Sequence, residues 1–265
     1  MARNDRGNMN ILAIGDIIGK PGRQIINKYL RGLRKQYKID FVIANGENTA
    51  GGFGLTTSTA HELLEDGVNM ITSGNHIFAQ KEFIPFLDTD IPVIRPLNYP
   101  PGVPGKGYRI LNNVLVVNLI GRTYINTFDD PFRTMDKLLN ELPDKPKIIM
   151  VDFHAEATSE KVALGRYLDG RVTAVLGTHT HVGTIDTQIL KGGTAYVTDI
   201  GMTGPSDSII GDEPEGVLQR FLTQMPGHLT VGSGKPFLDA VIVEADENTG
   251  KATSIQRIRR EMEEH

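Results

Sequence analysis

Along this chain short apolar runs alternate with segments in which apolar residues recur at every third or fourth position. The run "NILAIG" predicts a strand. After it, "RQIINKYLRGLRKQYK" puts Ile25, Ile26, Tyr29, Leu30, Leu33 and Tyr37 at helical spacing with basic residues on the other face. "DFVIANG" is the next predicted strand, followed by a helix through "TAHELLEDG" that Gly67 stops, and then the strand "NMITSG". "PVIRP", "GYRIL" and "VLVVNLI" read as further strands, the last two joined by a hairpin turn at Asn112-Asn113. A helix near "RTMDKLLNEL", the strand "KIIMVDF", a helix over about 159–168 and the strand "RVTAVLG" come next. The remainder supplies "DTQIL", "TAYVT", a helix near "GVLQRFL", and the strands "FLDAVIVEA" and "ATSIQRIR".

The first half is thus βαβ-like, which predicts an α/β fold with parallel pairing, and the last third is rich in hairpins. "YPPGVPGKG" and "MPGHLTVGSGKP" are the candidate linkers. We read both as loops inside one domain spanning residues 1–265, because the polar residues described next fall on both sides of the first. There is no internal repeat.

Five strand ends carry polar side chains able to bind a metal. "NILAIG" leads into Asp16, "DFVIANG" into Glu47 and Asn48, "NMITSG" into Asn75 and His76, "KIIMVDF" into His154, and "RVTAVLG" into His179 and His181. In parallel α/β sheets the carboxyl ends of the strands open onto the ligand crevice. Any one of these residues alone reads as a turn former or a histidine satisfied by neighbouring carbonyls. Together they predict one site. "GTHTH" adds to this, since side chains two apart on an extended segment point the same way.

Composition narrows the chemistry. The 265 residues include no cysteine, so disulfides, thiolate catalysis and zinc–thiolate sites are excluded and any metal is held by nitrogen and oxygen. A formal net charge of -4 disfavours binding of long nucleic acid but allows a small anionic ligand. The run "ILAIGDIIG" is broken by Asp16, and no apolar run approaches membrane-spanning length, so a soluble cytoplasmic protein with no membrane partner is expected. A homo-oligomer is compatible with the sequence. Three of the seven histidines, His61, His228 and His265, lie outside the strand-end set. The candidates outnumber what a single ion takes, and they include a carboxylate able to bridge, which favours a two-metal centre. Iron, manganese and zinc all suit imidazole with oxygen donors.

The blocks "GDIIGKPGR", "ANGENTAGGFG", "TSGNH", "VDFHAEATSEK", "GTHTHV" and "TDIGMTGPSDSIIG" resemble, in order, those of the calcineurin-like metallophosphoesterases, specifically their bacterial YmdB-like branch. The resemblance runs along nearly the whole chain. It implies a sandwich of two mixed β-sheets flanked by helices, αββα. It further implies that Asp16 and His181 are ligands of one metal, with Asn48 an extra ligand there, and that Asn75, His154 and His179 hold the other. Glu47 resembles the bridging carboxylate, and His76 resembles the proton donor. Ile18 stands where the wider superfamily has a histidine, and Glu47 where it has an aspartate; both departures are features of the branch.

The implied activity is hydrolysis of a phosphodiester such as a cyclic nucleotide by attack of a metal-bound hydroxide, with two transition-metal ions, iron first and manganese or zinc as alternatives. Two other classes fit the same residues: a metal-dependent amide hydrolase, and a regulatory metal-binding protein with residual phosphodiesterase activity. Glu156 reads either as a partner of a metal-bound histidine or as an exposed acid at a helix start. Arg122 reads either as a phosphate clamp or as a surface charge. "AGGFG" reads as a flexible loop or as a close backbone approach to substrate. "GDIIGKPG" lacks the spacing of a dinucleotide-binding loop.

Overall fold

A computed structural model of the protein describes residues 7–263; His265 lies outside them. The chain opens with β1 (Asn8–Ile14), the two-residue β2 (Asp16–Ile17) and α1 (Gly19–Gln36). Then come β3 (Phe41–Asn45), α2 (Thr57–Glu65), β4 (Met70–Thr72) and a 3-10 helix over Lys81–Asp88. The middle contains β5 (Tyr108–Leu111), β6 (Val114–Ile120), α3 (Pro131–Glu141), β7 (Ile148–His154), α4 (Thr158–Tyr167) and β8 (Ala174–Thr178). The last part contains β9 (Gln188–Ile189), β10 (Ala195–Val197), β11 (Met202–Asp212), α5 (Pro214–Thr223), β12 (Val231–Asp246) and β13 (Ala252–Glu261).

These strands form two mixed sheets. The first runs β2-β11-β12-β1-β3-β4, with β13 also paired to β12. Within it β1, β3 and β4 are parallel, while β12 is antiparallel to β1, β11 and β13. The second runs β5-β6-β7-β8-β10-β9, with β6, β7, β8 and β10 parallel and antiparallel edges at β5 and β9.

Period-two alternation decides the layers. Ile11 and Ala13 of β1 and Ile43 of β3 face Val116, Met150, Leu176 and Val197 of the other sheet in one shared core. Their neighbours Leu12, Ile14 and Val42 point the opposite way, onto Ile25, Ile26, Leu30 and Leu33 of α1 and Leu63 of α2. Leu115, Val117, Val151 and Val175 likewise pack on Met135, Leu138 and Leu139 of α3 and Leu164 of α4. The order is helix, sheet, sheet, helix, as the resemblance implies. Strands covered on both faces carry apolar residues at successive positions, which is why they stand out in the sequence.

Helix starts follow local chemistry. Thr56 caps α2 in a reciprocal pair with Thr59, and Asp130 accepts from the Phe132 and Arg133 amides ahead of α3, with Pro131 in the first turn. At the predicted hairpin, Asn112 and Asn113 have φ of 51 and 64, the left-handed region such a turn requires.

Some expectations need correction. "PVIRP" forms only an isolated bridge, Ile71 to Val93. "VGSGKP", read as loop, is the start of β12. β11 has no counterpart among the elements expected from the sequence. Among the described residues no helix is long and apolar enough to cross a membrane.

Candidate metal centre

The parallel strands of both sheets end on the same side of the molecule, and all eight predicted site residues lie there. Asp16 follows β1 after Gly15; Glu47 and Asn48 follow β3; Asn75 and His76 follow β4; His154 ends β7; His179 and His181 follow β8. Close approach is enforced by Gly74, where a Cβ would sit 2.3 Å from His154 Nε2 and 2.4 Å from Glu47 Oε2.

His154 is at the centre and fully buried. Its Nε2 lies 3.0 Å from Glu47 Oε1, 3.1 Å from Asn75 Oδ1 and 3.0 Å from His179 Nδ1. One ring nitrogen holds at most one proton and cannot satisfy three acceptors. A cation bound among them could. Glu47, His154 and His179 each offer a ligand atom within 4.8 Å of the others. Asp16 is wholly buried; its Oδ2 accepts from the His179 amide at 3.1 Å, while its Oδ1 has no hydrogen-bond partner. That orphaned oxygen faces His181 Nε2 at 3.8 Å. An unpaired buried carboxylate oxygen beside imidazole nitrogens is what a nitrogen-and-oxygen metal site presents. The residues fit a metal.

Other contacts aim the rings. His154 Nδ1 is 3.0 Å from Thr178 Oγ1, whose own proton goes to Asp152 Oδ1 at 2.7 Å. With that hydroxyl proton committed, the threonine oxygen accepts from His154 Nδ1–H and leaves Nε2 to the cluster. His181 Nδ1 donates to the Ile210 carbonyl at 2.6 Å, which frees its Nε2 in the same way. Ile210 has φ of 48, an outlier for a β-branched residue, and the hook after β8 is strained too, with φ of 96 at His179 and 64 at His181.

That hook is tied down by an ion pair that the sequence pattern did not reveal. Lys161 Nζ and Asp199 Oδ2 are 2.7 Å apart and both side chains are buried. The same Asp199 oxygen accepts from the Thr180 amide at 3.2 Å and the Thr180 hydroxyl at 2.8 Å. Asp152, Lys161 and Asp199 all sit inside blocks singled out for the family resemblance, but a burial that depends on tertiary contacts has no periodic signal.

Electrostatics follow the crowding. Burial pushes Asp16 up to about 6. Burial also opposes ionisation of Glu47, but His154 and His76 outweigh it and hold its carboxyl well below the usual range. On His154 burial disfavours the charged form, yet Glu47 and Asp16 prevail and raise it to about 9. Burial and the neighbouring His154 drive His179 down to about 3, and burial lowers His76. The cluster therefore keeps a proton on His154 that a metal ion would have to displace.

Asn48 lies between His76 and the cluster. Its amide oxygen is taken by His76 Nδ1 at 2.8 Å, and its amide nitrogen faces Glu47 Oε1 and His181 Nε2, each at 3.3 Å. Glu156 Oε2 lies 3.1 Å from His179 Nε2, which favours the histidine-partner reading. Arg122 pairs with Asp130 at 3.3 Å on the surface. His61 is exposed on α2. His228 lines the cleft of about 620 Å³ that opens over the site, together with Phe53, Asp212 and Arg220.

Fold and donor set define a metallophosphoesterase-type protein. The chain belongs to the YmdB-like family, whose model matches residues 12–258. It is 48% identical over 255 residues to a Bacillus subtilis (strain 168) protein named 2',3'-cyclic-nucleotide 2'-phosphodiesterase, covering 94% of this chain and 96% of the relative. A crystal structure of a hypothetical protein from Thermus thermophilus superposes with a TM-score of 0.89 at 45% identity, over 96% of this chain and 99% of the other. A structure titled a novel phosphatase, from Mycoplasma pneumoniae, gives 0.90 at 36% identity, over 96% and 94%.

Proposed function

We propose that this phosphoester hydrolase opens 2',3'-cyclic nucleotides at the 2' ester, using two transition-metal ions. The observation that carries the reading is the convergence of His154 Nε2, His179 Nδ1, Glu47 and Asn75 beside the orphaned Asp16 oxygen, beneath an open cleft. The cyclic-nucleotide substrate rests on the Bacillus subtilis relative.

In this reading Asp16, His181 and Asn48 would hold one ion, Asn75, His154 and His179 the other, and Glu47 would serve both. Iron comes first, and manganese or zinc suits the same donors. Bound there, the ions supply an activated water and neutralise phosphate oxygens. The chain's own residues do the rest. Thr178 and the Ile210 carbonyl hold His154 and His181 in the tautomers that offer Nε2. His76 protonates the departing 2' oxygen, so that the product keeps its phosphate on the 3' oxygen. The shared core of the two sheets supports one domain, and we assign it to the cytoplasm as a small-molecule enzyme; a homo-oligomer is compatible with this activity.

Elemental analysis of purified protein is expected to return two ions per chain, with turnover of 2',3'-cyclic nucleotides and none of amide substrates. Glu47→Gln puts a weakly coordinating amide in the bridge, so metal content and activity should fall together. One ion at saturation, or full activity in Glu47→Gln, overturns the two-metal reading.

A further inference from the structure

Among the described residues lining the cleft, Phe53 is the only phenylalanine or tyrosine, and it is 54% exposed. An exposed aromatic ring on a loose loop would be unremarkable, but this loop is fixed. Gly51, Gly52 and Gly54 have φ of 64, 91 and 85, conformations that side chains rarely adopt. The Phe53 amide donates to the Ala50 carbonyl at 3.2 Å, Gln80 Nε2 donates to the Phe53 carbonyl at 2.7 Å, and the Gly52 amide donates to the Asn48 carbonyl at 3.1 Å. A Cβ on Gly54 would come within 2.8 Å of Gln80 Cγ, so the turn also packs closely. The ring centroid lies 4.3 Å from that of His76, tilted by 45°.

We infer that Phe53 is the stacking surface for the base of the nucleotide, set beside the residue that serves the leaving oxygen. The inference rests on the function proposed above. In a 2',3'-cyclic nucleotide the 2' oxygen is carried by the ribose carbon next to the one that bears the base. A substrate that delivers this oxygen to His76 therefore brings its base to the neighbourhood of His76, where the exposed ring is Phe53. Every base has a π face, so stacking recognises nucleotides as a class, and edge contacts to Asp212, Arg220 or His228 are left to discriminate among them. A cleft of about 620 Å³ is of the size small-molecule sites use. "AGGFG", read in the sequence as flexible loop or close backbone approach, takes on a third role as a rigid mount for a ring.

The chain contains no tryptophan, so Phe53→Trp installs a single fluorophore at the proposed stack. In metal-loaded protein, adenosine 3'-monophosphate should quench its fluorescence and inorganic phosphate should not. Phe53→Leu should lose at least about tenfold more kcat/KM on 2',3'-cyclic AMP than on methyl riboside 2',3'-cyclic phosphate, which has the same strained diester and no base, mostly through KM. Equal losses on the two substrates, or no quenching by the nucleotide, overturn the inference and make Phe53 a shield for His76 alone. If the parent protein hydrolyses neither cyclic phosphate, the proposed function fails, and the quenching experiment still decides whether a base stacks on this ring.

Discussion

His154 and Asn48 show how single side chains carry the site. His154 Nε2 has three partners at hydrogen-bonding distance, and Asn48 stands between the cluster and His76. A ligand role for Asn48 needs its amide oxygen on the ion, and that oxygen is now bonded to His76 Nδ1. With the amide turned over, Nδ2–H would face His76 Nδ1 instead, and the histidine would carry its proton on the other nitrogen. The two roles are thereby coupled. For His76→Ala we expect both ions to be retained and the rate to fall by about 10²–10⁴. The loss should be smaller on an aryl ester with a good leaving group than on a nucleotide, giving a steeper dependence on leaving-group pKa than in the parent. Equal losses across such a series would make His76 a positioning residue. The convergence of the eight candidate residues was legible because their types and strand-end positions are local properties. The orientation of the Asn48 amide was not, because neighbours from β4 and β8 decide it.

At the scale of elements, the hook after β8 is the demanding piece. His179 and His181, both at positive φ, need an anchor, and the buried Lys161–Asp199 pair supplies it through Thr180. Thr180→Val removes the hydroxyl contact and little volume. We expect metal affinity, read by titration calorimetry, to weaken by about 10–100-fold, with Thr180→Ser close to the parent. A Thr180→Val protein that binds metal like the parent would show that the hook holds itself. Strands buried on both faces, such as β6 and β7, declared themselves as continuous apolar runs. β11 did not, since "MTGPSDSIIGD" is buried only in its first residues and near its end, and its pairing with β12 shifts register twice. Its ladder with β2 is two residue pairs long, Met202 to Asp16 and Thr203 to Ile17. No window of sequence encodes such a pairing.

For the whole molecule, alternation gave a parallel α/β fold with hairpins in its last third, the layered order came only from the resemblance, and the meeting at one site was read from the strand ends. Asp16, Glu47, Asn48, Asn75 and His76 come from the first sheet; His154, His179 and His181 come from the second. Ions bound between them, as proposed, would join the sheets, so free metal at 100 times its Kd should raise unfolding stability by about 2.7 kcal/mol per site. Thermal melts with and without chelator check this, and an unchanged Tm would place the ions outside the folded framework. The first sheet also has a history on the ribosome. β1 lies between β3 and β12, and Asp16 is paired through β2 to β11. Asp16 therefore gets its final neighbours only after β11 and β12 have been made. The nascent chain presents histidines and carboxylates long before it presents a cluster, so any metal taken up there is expected to enter only after β12 has been made.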